Sequence, residues 1–335
     1  MRTAIVTGSA GFIGYNLSAR LLAEGWRVVG LDCLSDYYDV DLKRARHDRL
    51  DGPAFLPVIE RVETPGTVAA LMAEHRPEAV IHLAAQAGVR HSIDAPRDYV
   101  EANLLGTYEV LEAARAVPPA HLLLASTSSV YGAETEMPYR ETMKTDTQMS
   151  FYAATKKAGE AMAHSYAHLY GIPTTLFRFF TVYGPWGRPD MAPYKFTSAI
   201  LDGRPIDVFN HGKMRRDFTY VDDLVDGLAG LIPVPPGSVP VSARDSLSAV
   251  APHRIVNIGN GETVELGRFI AAIEAATGRT AERNLMEMQP GDVSATWADT
   301  GLLRDLLGRD LPRTPVEDGV RAFVDWYRDW MDARR

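Results

Sequence analysis

Ala4-Ile5-Val6-Thr7-Gly8-Ser9-Ala10-Gly11-Phe12-Ile13-Gly14 is the stretch that decides the fold. A short strand-like run enters three glycines spaced G-x-x-G-x-x-G, and a helical pattern from Phe12 to Glu24 leaves them. Gly8 permits a tight turn. Gly11 lets the backbone approach a pyrophosphate, and Gly14 lets helix and strand pack closely. The helix that opens at Phe12 and Ile13 offers free N–H groups and a partial positive charge to an anion. Three glycines alone are also compatible with a turn that binds nothing. The second strand-like run, Arg27 to Asp32, adds the missing context. It ends in Asp32, 18 residues beyond Gly14, against the ~20 expected of a ribose-binding carboxylate. A carboxylate there accepts hydrogen bonds from both ribose hydroxyls and repels a 2′-phosphate, so NAD is favoured over NADP as cofactor. By itself, Asp32 also reads as an ordinary turn residue.

Working outward, strand-like runs keep alternating with helical ones. Ala54 to Ile59, Ala79 to Leu83, His121 to Ser126 and Thr174 to Phe179 read as strands. Asp98 to Arg115 and Phe151 to Tyr170 read as helices. Alternating βαβα order implies a parallel sheet covered on both faces. The fold class expected is α/β: a Rossmann-like doubly wound parallel sheet with a smaller C-terminal α/β substrate domain. After Tyr183 the pattern changes at the rigid loop Gly184-Pro185-Trp186-Gly187-Arg188-Pro189. Helices are expected near Val264 to Thr277, Thr300 to Leu307 and Pro315 to Trp330. The division expected is 1–180 for the dinucleotide domain, with about 217–257 returning to it, and 181–335 for an interleaved substrate domain. Residues 233–252, rich in Pro and Ser, are expected to be a mobile surface insertion.

Composition excludes several function classes. The chain has 335 residues, 46% hydrophobic and 23% charged, with a formal net charge of -8. That is enough to bury a core, and the acidic balance argues against nucleic acid as a partner. The basic run Lys213-Met214-Arg215-Arg216 suits a small anion better than a duplex. One cysteine, Cys33, excludes an intrachain disulfide and fits a reducing cytoplasm. A strand pattern from Thr3 leaves no room for a signal peptide, and no apolar run approaches the ~18 residues of a membrane span. A cytoplasmic, membrane-free protein is expected. His164 and His168 sit four apart on a helix, a zinc spacing, but no third ligand is evident, so no metal is expected.

The catalytic candidates lie further along. Tyr152 and Lys156 are four residues apart on an expected helix, so they share a face. A phenol ionises near pH ~10. A nearby ammonium and a cationic nicotinamide are both expected to lower that value, making Tyr152 a base for a hydroxyl proton. A bare Y-x-x-x-K is otherwise a common helix face. Upstream, Ala125-Ser126-Thr127-Ser128-Ser129-Val130-Tyr131-Gly132 closes the fifth strand, and ligands of doubly wound sheets bind at such ends. A hydroxyl there can share the substrate proton, though a turn rich in Ser and Thr needs no such role.

These residues together resemble the extended short-chain dehydrogenase/reductase superfamily, and within it the UDP-glucuronate 4-epimerase family. The carrying strings are Ala84-Ala-Gln-Ala-Gly-Val-Arg90, Asn103-Leu-Leu-Gly-Thr107, Tyr152-Ala-Ala-Thr-Lys-Lys157 and Arg178-Phe-Phe-Thr-Val-Tyr-Gly-Pro-Trp-Gly-Arg-Pro-Asp-Met191. Phe209 to Tyr220 and Gln289-Pro-Gly-Asp-Val293 extend the match over nearly the whole chain. The resemblance implies tightly held NAD, a UDP-sugar acid as substrate and inversion at C4. It makes Tyr152 the base, Lys156 its support and Thr127 the assisting hydroxyl. It places Leu83, Ala84, Ala85, Gln86 and Asn103 with Gly8, Gly11, Phe12, Ile13, Gly14 and Asp32 at the cofactor. Glu60 is the candidate carboxylate for the adenine side. The resemblance further implies a homodimer in which the 98–115 and 151–170 helices form a four-helix bundle.

Relatives share oxidation at C4 and differ in the step after it. The dehydratases carry an acid pair after the catalytic Thr, and the UDP-glucuronate decarboxylases carry Glu where Ser129 stands here. A 4-keto hexuronate is a β-keto acid and loses CO2 readily. Ser128, Ser129 and Thr181 are expected to hydrogen-bond the carboxylate and retain it. Epimerases of neutral hexoses often have Asn in place of Thr181. Arg188 and Arg216 are the expected phosphate ligands, with Arg90, Gln289 and Asp292 as further substrate contacts. The alternatives are a UDP-glucuronate decarboxylase, a UDP-hexose 4-epimerase and a catalytically silent NAD-binding regulator.

Overall fold

The computed structural model describes residues 1–288 and 293–334. The strand-like runs form one sheet: β1 (Thr3–Thr7), β2 (Arg27–Asp32), β3 (Phe55–Ile59), β4 (Ala79–His82), β5 (His121–Thr127), β6 (Thr174–Phe179) and, from the later sequence, β11 (His253–Ile258). Every pairing in it is parallel, in the order β11-β6-β5-β4-β1-β2-β3. Strands β1, β4, β5 and β6 are almost wholly buried because helices cover both faces, which explains their near-continuous apolar character. The order reverses between β1 and β4. That switch point opens a crevice at the carboxyl ends of those strands, the place where such sheets bind ligands.

The connecting helices are α1 (Phe12–Ala23), α2 (Val40–Leu50), α3 (Thr67–His75), the short turns α4 (His91–Asp94) and α5 (Pro96–Tyr99), α6 (Gly106–Ala116) and α7 (Phe151–Tyr170). The 98–115 stretch is therefore not one continuous α-helix. Val100–Leu105 form a π-helical turn between α5 and α6, a wider winding often seen at functional sites. It directs Asn103 inward, buried, against α7.

The remaining elements divide between two cores. Strand β7 (Thr181–Tyr183) precedes α8 (Ala192–Leu201), β8 (Ile206–Phe209), β9 (Arg215–Arg216) and β10 (Phe218–Tyr220). After α9 (Val221–Leu231) and β11 come β12 (Val264–Glu265), α10 (Leu266–Thr277), β13 (Arg283–Met286), α11 (Gly301–Leu307) and α12 (Val316–Asp332). Leu224 and Leu228 of α9, Val256 of β11 and Leu303 of α11 join the core that holds Ala4, Val6 and Leu17. Phe196, Ile206, Phe218, Phe269, Ile273 and Phe323 build a second core around β7, β8 and β10. Later segments of the chain, α9 with β11 and then α11, thus pack into the core of the seven-stranded sheet.

Residues 233–252 lack regular structure, as their composition indicates, and hydrogen bonds join them to β11 and α7. Arg254 makes a buried two-point ion pair with Asp245 (2.8 and 3.0 Å). His164 meets the Ser248 hydroxyl at 2.8 Å, and His168 meets the Val250 carbonyl at 2.7 Å. The two histidines with zinc spacing therefore pin this segment to α7. Among the described residues, no group of three His, Cys, Asp or Glu is placed to hold a metal ion.

Candidate active site

The glycine turn takes the form its sequence requires. Gly8 has φ +74°, and a Cβ there would lie 2.8 Å from the Ala84 backbone nitrogen. A Cβ on Gly14 would lie 2.0 Å from the Gly8 carbonyl oxygen. The turn and the end of β4 thus meet back to back at the switch point. Gly11 caps α1 without a side-chain acceptor, so the first-turn N–H groups at Phe12 and Ile13 stay available to a ligand. Asp32 accepts from the Ala10 N–H (3.0 Å) and the Leu34 N–H (2.8 Å), which fixes its carboxylate at the rim of the turn. A cradle of bare backbone beside a helix N-terminus and a fixed carboxylate fits a dinucleotide.

The far wall is built from the loop after β4. Leu83 and Ala84 donate backbone N–H groups to the Thr7 hydroxyl, and Ala85 is exposed. Asn103 accepts from the Gln86 N–H at 2.8 Å and donates to the Gln86 carbonyl and to Thr155. Each polar atom of its amide is engaged by the chain, so Asn103 holds this loop against α7. Glu60 accepts from its neighbour Arg61 and from Thr64 at the surface beyond β3.

Tyr152 and Lys156 project from α7 beside Thr127, the last residue of β5. Ser150 caps the helix by accepting from the Ala153 N–H, which sets where its first turn begins. The electrostatics differ from the expectation. Burial pushes the Tyr152 phenol up from its ordinary range; the Thr127 hydroxyl and the Arg188 charge pull it back only in part. Lys156 does not acidify it in the chain alone. Burial brings the lysine itself down to about 8, against a Glu160 carboxylate that raises it. Two neighbours short of water each resist ionising. At neutral pH Lys156 keeps its charge and Tyr152 its proton.

Behind the pair lies a buried network that the sequence did not announce. Arg178 of β6 makes two 2.9 Å hydrogen bonds to Glu160, and Ser126 donates to the same carboxylate at 2.7 Å. Burial raises the Glu160 carboxyl, but Arg178 and Ser126 together hold it below its ordinary range. Glu160 stands one turn beyond Lys156, so this pair fixes α7 to the strands that carry Thr127. The network continues through Tyr131 to Asn257 (2.8 Å), and the Asn257 N–H donates to Glu141 at 2.8 Å.

Burial pushes Glu141 up to about 7. A carboxyl that holds its proton more tightly when folded stabilises the fold at low pH and loses that contribution as pH rises through about 7. The stability of wild type relative to Glu141→Gln is therefore expected to fall as pH rises from 5 to about 7, so the two proteins should differ in pH slope. Melting temperatures of both proteins across that range check it; equal slopes would count against a buried, titrating Glu141.

Of the remaining candidates, Ser128 and Ser129 are half-buried hydroxyls directly after Thr127, which donates to Ser129 at 3.3 Å, and Thr181 is half-buried at the start of β7, paired with Phe218. Arg188 pairs with Asp190 and is close enough to Tyr152 to act on its phenol, so it stands on the reacting side of the crevice. Arg216 lies on β9, bonded to the Arg215 carbonyl. Arg90 is exposed, its guanidinium 4.7 Å from the centre of the Phe209 ring. Gln289 and Asp292 lie outside the described residues.

A glycine cradle at the switch point of a parallel sheet, facing a Tyr-Lys pair on the helix after β5, defines a nicotinamide-dinucleotide enzyme of the Rossmann type. The chain matches the NAD dependent epimerase/dehydratase family over residues 4–237 and belongs to it. It is 52% identical over 330 residues to a probable UDP-glucuronate 4-epimerase of Rhizobium meliloti (strain 1021), with 96% of each chain covered. It is 46% identical over 332 residues to the protein CapI of Staphylococcus aureus, covering 97% of this chain and 98% of that one. The solved UDP-glucuronic acid 4-epimerase of Bacillus cereus, in complex with UDP-glucuronic acid and NAD, superposes with a TM-score of 0.87 at 31% identity. The match covers 98% of this chain and 99% of that one.

Proposed function

We infer that this chain is an NAD-dependent UDP-glucuronate 4-epimerase, which interconverts UDP-glucuronate and UDP-galacturonate through a 4-keto sugar and keeps the carboxylate. One observation carries the reading: Tyr152 meets Thr127 at the end of β5, with Lys156 one turn along the same helix, and Ser128-Ser129 follow Thr127 where an acid pair would serve other chemistry. The bound NAD supplies the acceptor for the C4 hydrogen and its later return. Tyr152 takes the C4 hydroxyl proton and gives it back, so no net proton leaves the site. Thr127 shares that proton, and Lys156 supplies a fixed positive charge. With an oxidised nicotinamide in the glycine cradle, its positive charge would offset the burial that keeps the Tyr152 phenol protonated in the chain alone, and Tyr152 would then serve as the base.

Ser128, Ser129 and Thr181 are assigned to the uronate carboxylate, which they hold charged and hydrogen-bonded, the state least prone to lose CO2. Arg188, Arg216 and Arg90 are assigned to the phosphates and the sugar, together with Gln289 and Asp292. Gly8, Gly11, Phe12, Ile13, Gly14, Asp32 and Leu83 to Gln86 are assigned to the dinucleotide, with Asn103 supporting them. Purified protein given UDP-glucuronate and no added NAD should form UDP-galacturonate. UDP-xylose in its place, or no turnover with NAD bound, would overturn the reading. Ser129→Glu should set a second negative charge against the uronate, raising KM roughly tenfold or more and releasing UDP-pentose. Unchanged KM with clean UDP-galacturonate would contradict the role given to the hydroxyls.

The working form is proposed to be a homodimer through a bundle of α6 and α7 with their counterparts in a second copy. Tyr108 of α6, Leu169 of α7 and Leu105 at the end of the π-helical turn are exposed and supply apolar surface for it. Among the described residues, no helix is long and apolar enough to cross a membrane. A cytoplasmic location is proposed, consistent with the free, exposed Cys33.

A further inference from the structure

Arg46, on α2, belongs to none of the motifs that mark the site, yet it is fully buried. Among the described residues, its hydrogen-bond partners are neutral oxygens. Its Nη1 donates to the Ala10 carbonyl and to the Tyr38 hydroxyl, both at 2.8 Å. Its Nη2 donates to the Trp186 carbonyl at 2.6 Å and the Gly187 carbonyl at 3.5 Å, and its Nε has no partner. A buried cation without a counter-charge is costly, and an apolar side chain of similar volume fills such a space better. What Arg46 joins explains its presence. Ala10 lies inside the glycine turn. Trp186 and Gly187 lead directly into Arg188. Trp186 also has φ +64°, a conformation that bulky residues rarely adopt and that its surroundings must enforce. His47, the next residue, grips the same glycine turn through the Ser9 hydroxyl at 2.9 Å.

We propose that Arg46 is a positioning residue for the turnover of the keto sugar: a guanidinium tie that holds the dinucleotide turn and the Arg188 loop at fixed spacing. The proposal rests on the epimerase reading. Inversion asks more of the walls than oxidation does, because the 4-keto sugar must loosen and turn without leaving. Oxidation moves the C4 hydrogen with its electron pair to the dinucleotide and the hydroxyl proton to Tyr152. Should the walls part before the return step, the keto sugar escapes and the dinucleotide stays reduced. Arginine suits the task because its planar fork reaches both loops at once. A lysine has the charge but only one nitrogen.

The test compares wild type with Arg46→Lys and Arg46→Met, each purified with its own NAD. UDP-galacturonate formed is divided by reduced nicotinamide left stranded on the protein, read by its fluorescence. NAD content and melting temperature are measured alongside. Both variants are expected to retain NAD and to lower that ratio roughly tenfold or more, as small misplacements of reacting groups do. A purely structural role would lower the active fraction and leave the ratio unchanged. A wild-type ratio in either folded, NAD-retaining variant overturns the proposal; where Arg46→Met does not fold, Arg46→Lys decides. Wild type that forms no UDP-galacturonate defeats the epimerase reading instead, so the two failures are distinguishable.

Discussion

Tyr152→Phe is expected to lower kcat by about 10²–10⁴-fold, the usual worth of a positioned general base, and to leave KM and bound NAD nearly unchanged. The substitution removes one oxygen. The ring keeps its edge-to-face contact with Tyr99, whose centroid lies 6.0 Å away, and that buried tyrosine stays fixed by its bond to the Gly88 carbonyl at 2.5 Å. Only the proton acceptor and the Thr127 partner are lost. Burial pushes the neighbouring Tyr99 phenol up as well, and its hydroxyl is already committed to the Gly88 carbonyl, so it is not expected to take over. Steady-state rates with melting temperature and NAD content check the expectation. A folded, NAD-loaded variant within a few-fold of wild type would mean that another group takes the C4 proton.

Glu160→Ala is expected to cost about 3–5 kcal/mol of stability, the penalty for stranding one member of a buried ion pair. The side chains of Arg178 and Glu160 are each 2% exposed and share two hydrogen bonds. Removing the carboxylate leaves a buried guanidinium on β6 that keeps the Glu141 carbonyl at 3.4 Å and the Tyr131 side chain but no counter-charge of comparable geometry. Glu160→Gln should cost less, since it keeps the packing, and it has a separate signature. Glu160 raises Lys156 against its burial. Neutralising it lets Lys156 lose its proton at lower pH, so the alkaline fall in kcat should move down the pH scale. Denaturant or thermal unfolding reads the first effect and a pH-rate profile reads the second. A Glu160→Ala protein as stable as wild type would show that the pair does not hold α7 to the sheet.

The parts of this fold that sequence displayed are those where side-chain pattern and backbone need coincide. Ala4 to Gly14 shows a strand, a turn and a helix, because only glycine avoids the 2.0 Å clash at position 14. Tyr152 and Lys156 were legible because four residues make one helical turn. The π-helical turn at Val100–Leu105, which packs against α7, was not, since its residues carry no spacing that sets it apart from an α-helix. The anchoring of 233–252 was hidden for a related reason. Asp245 and Arg254 become partners only once β11 adds to the far edge of the sheet. Arg178 and Glu160 meet across 18 residues, and Arg46 reaches Trp186 across 140; no local spacing announces either. The burial that opposes ionisation of the phenol was not legible, because charge is visible in a sequence and burial is not.

The central claim is that the C4 hydrogen passes to a resident dinucleotide and returns to the same carbon, with Tyr152 handling the proton. Running the reaction in D2O, with UDP-glucuronate and protein purified without added NAD, tests this most directly. UDP-galacturonate carrying protium at C4 is the predicted product; deuterium at C4 would contradict the account.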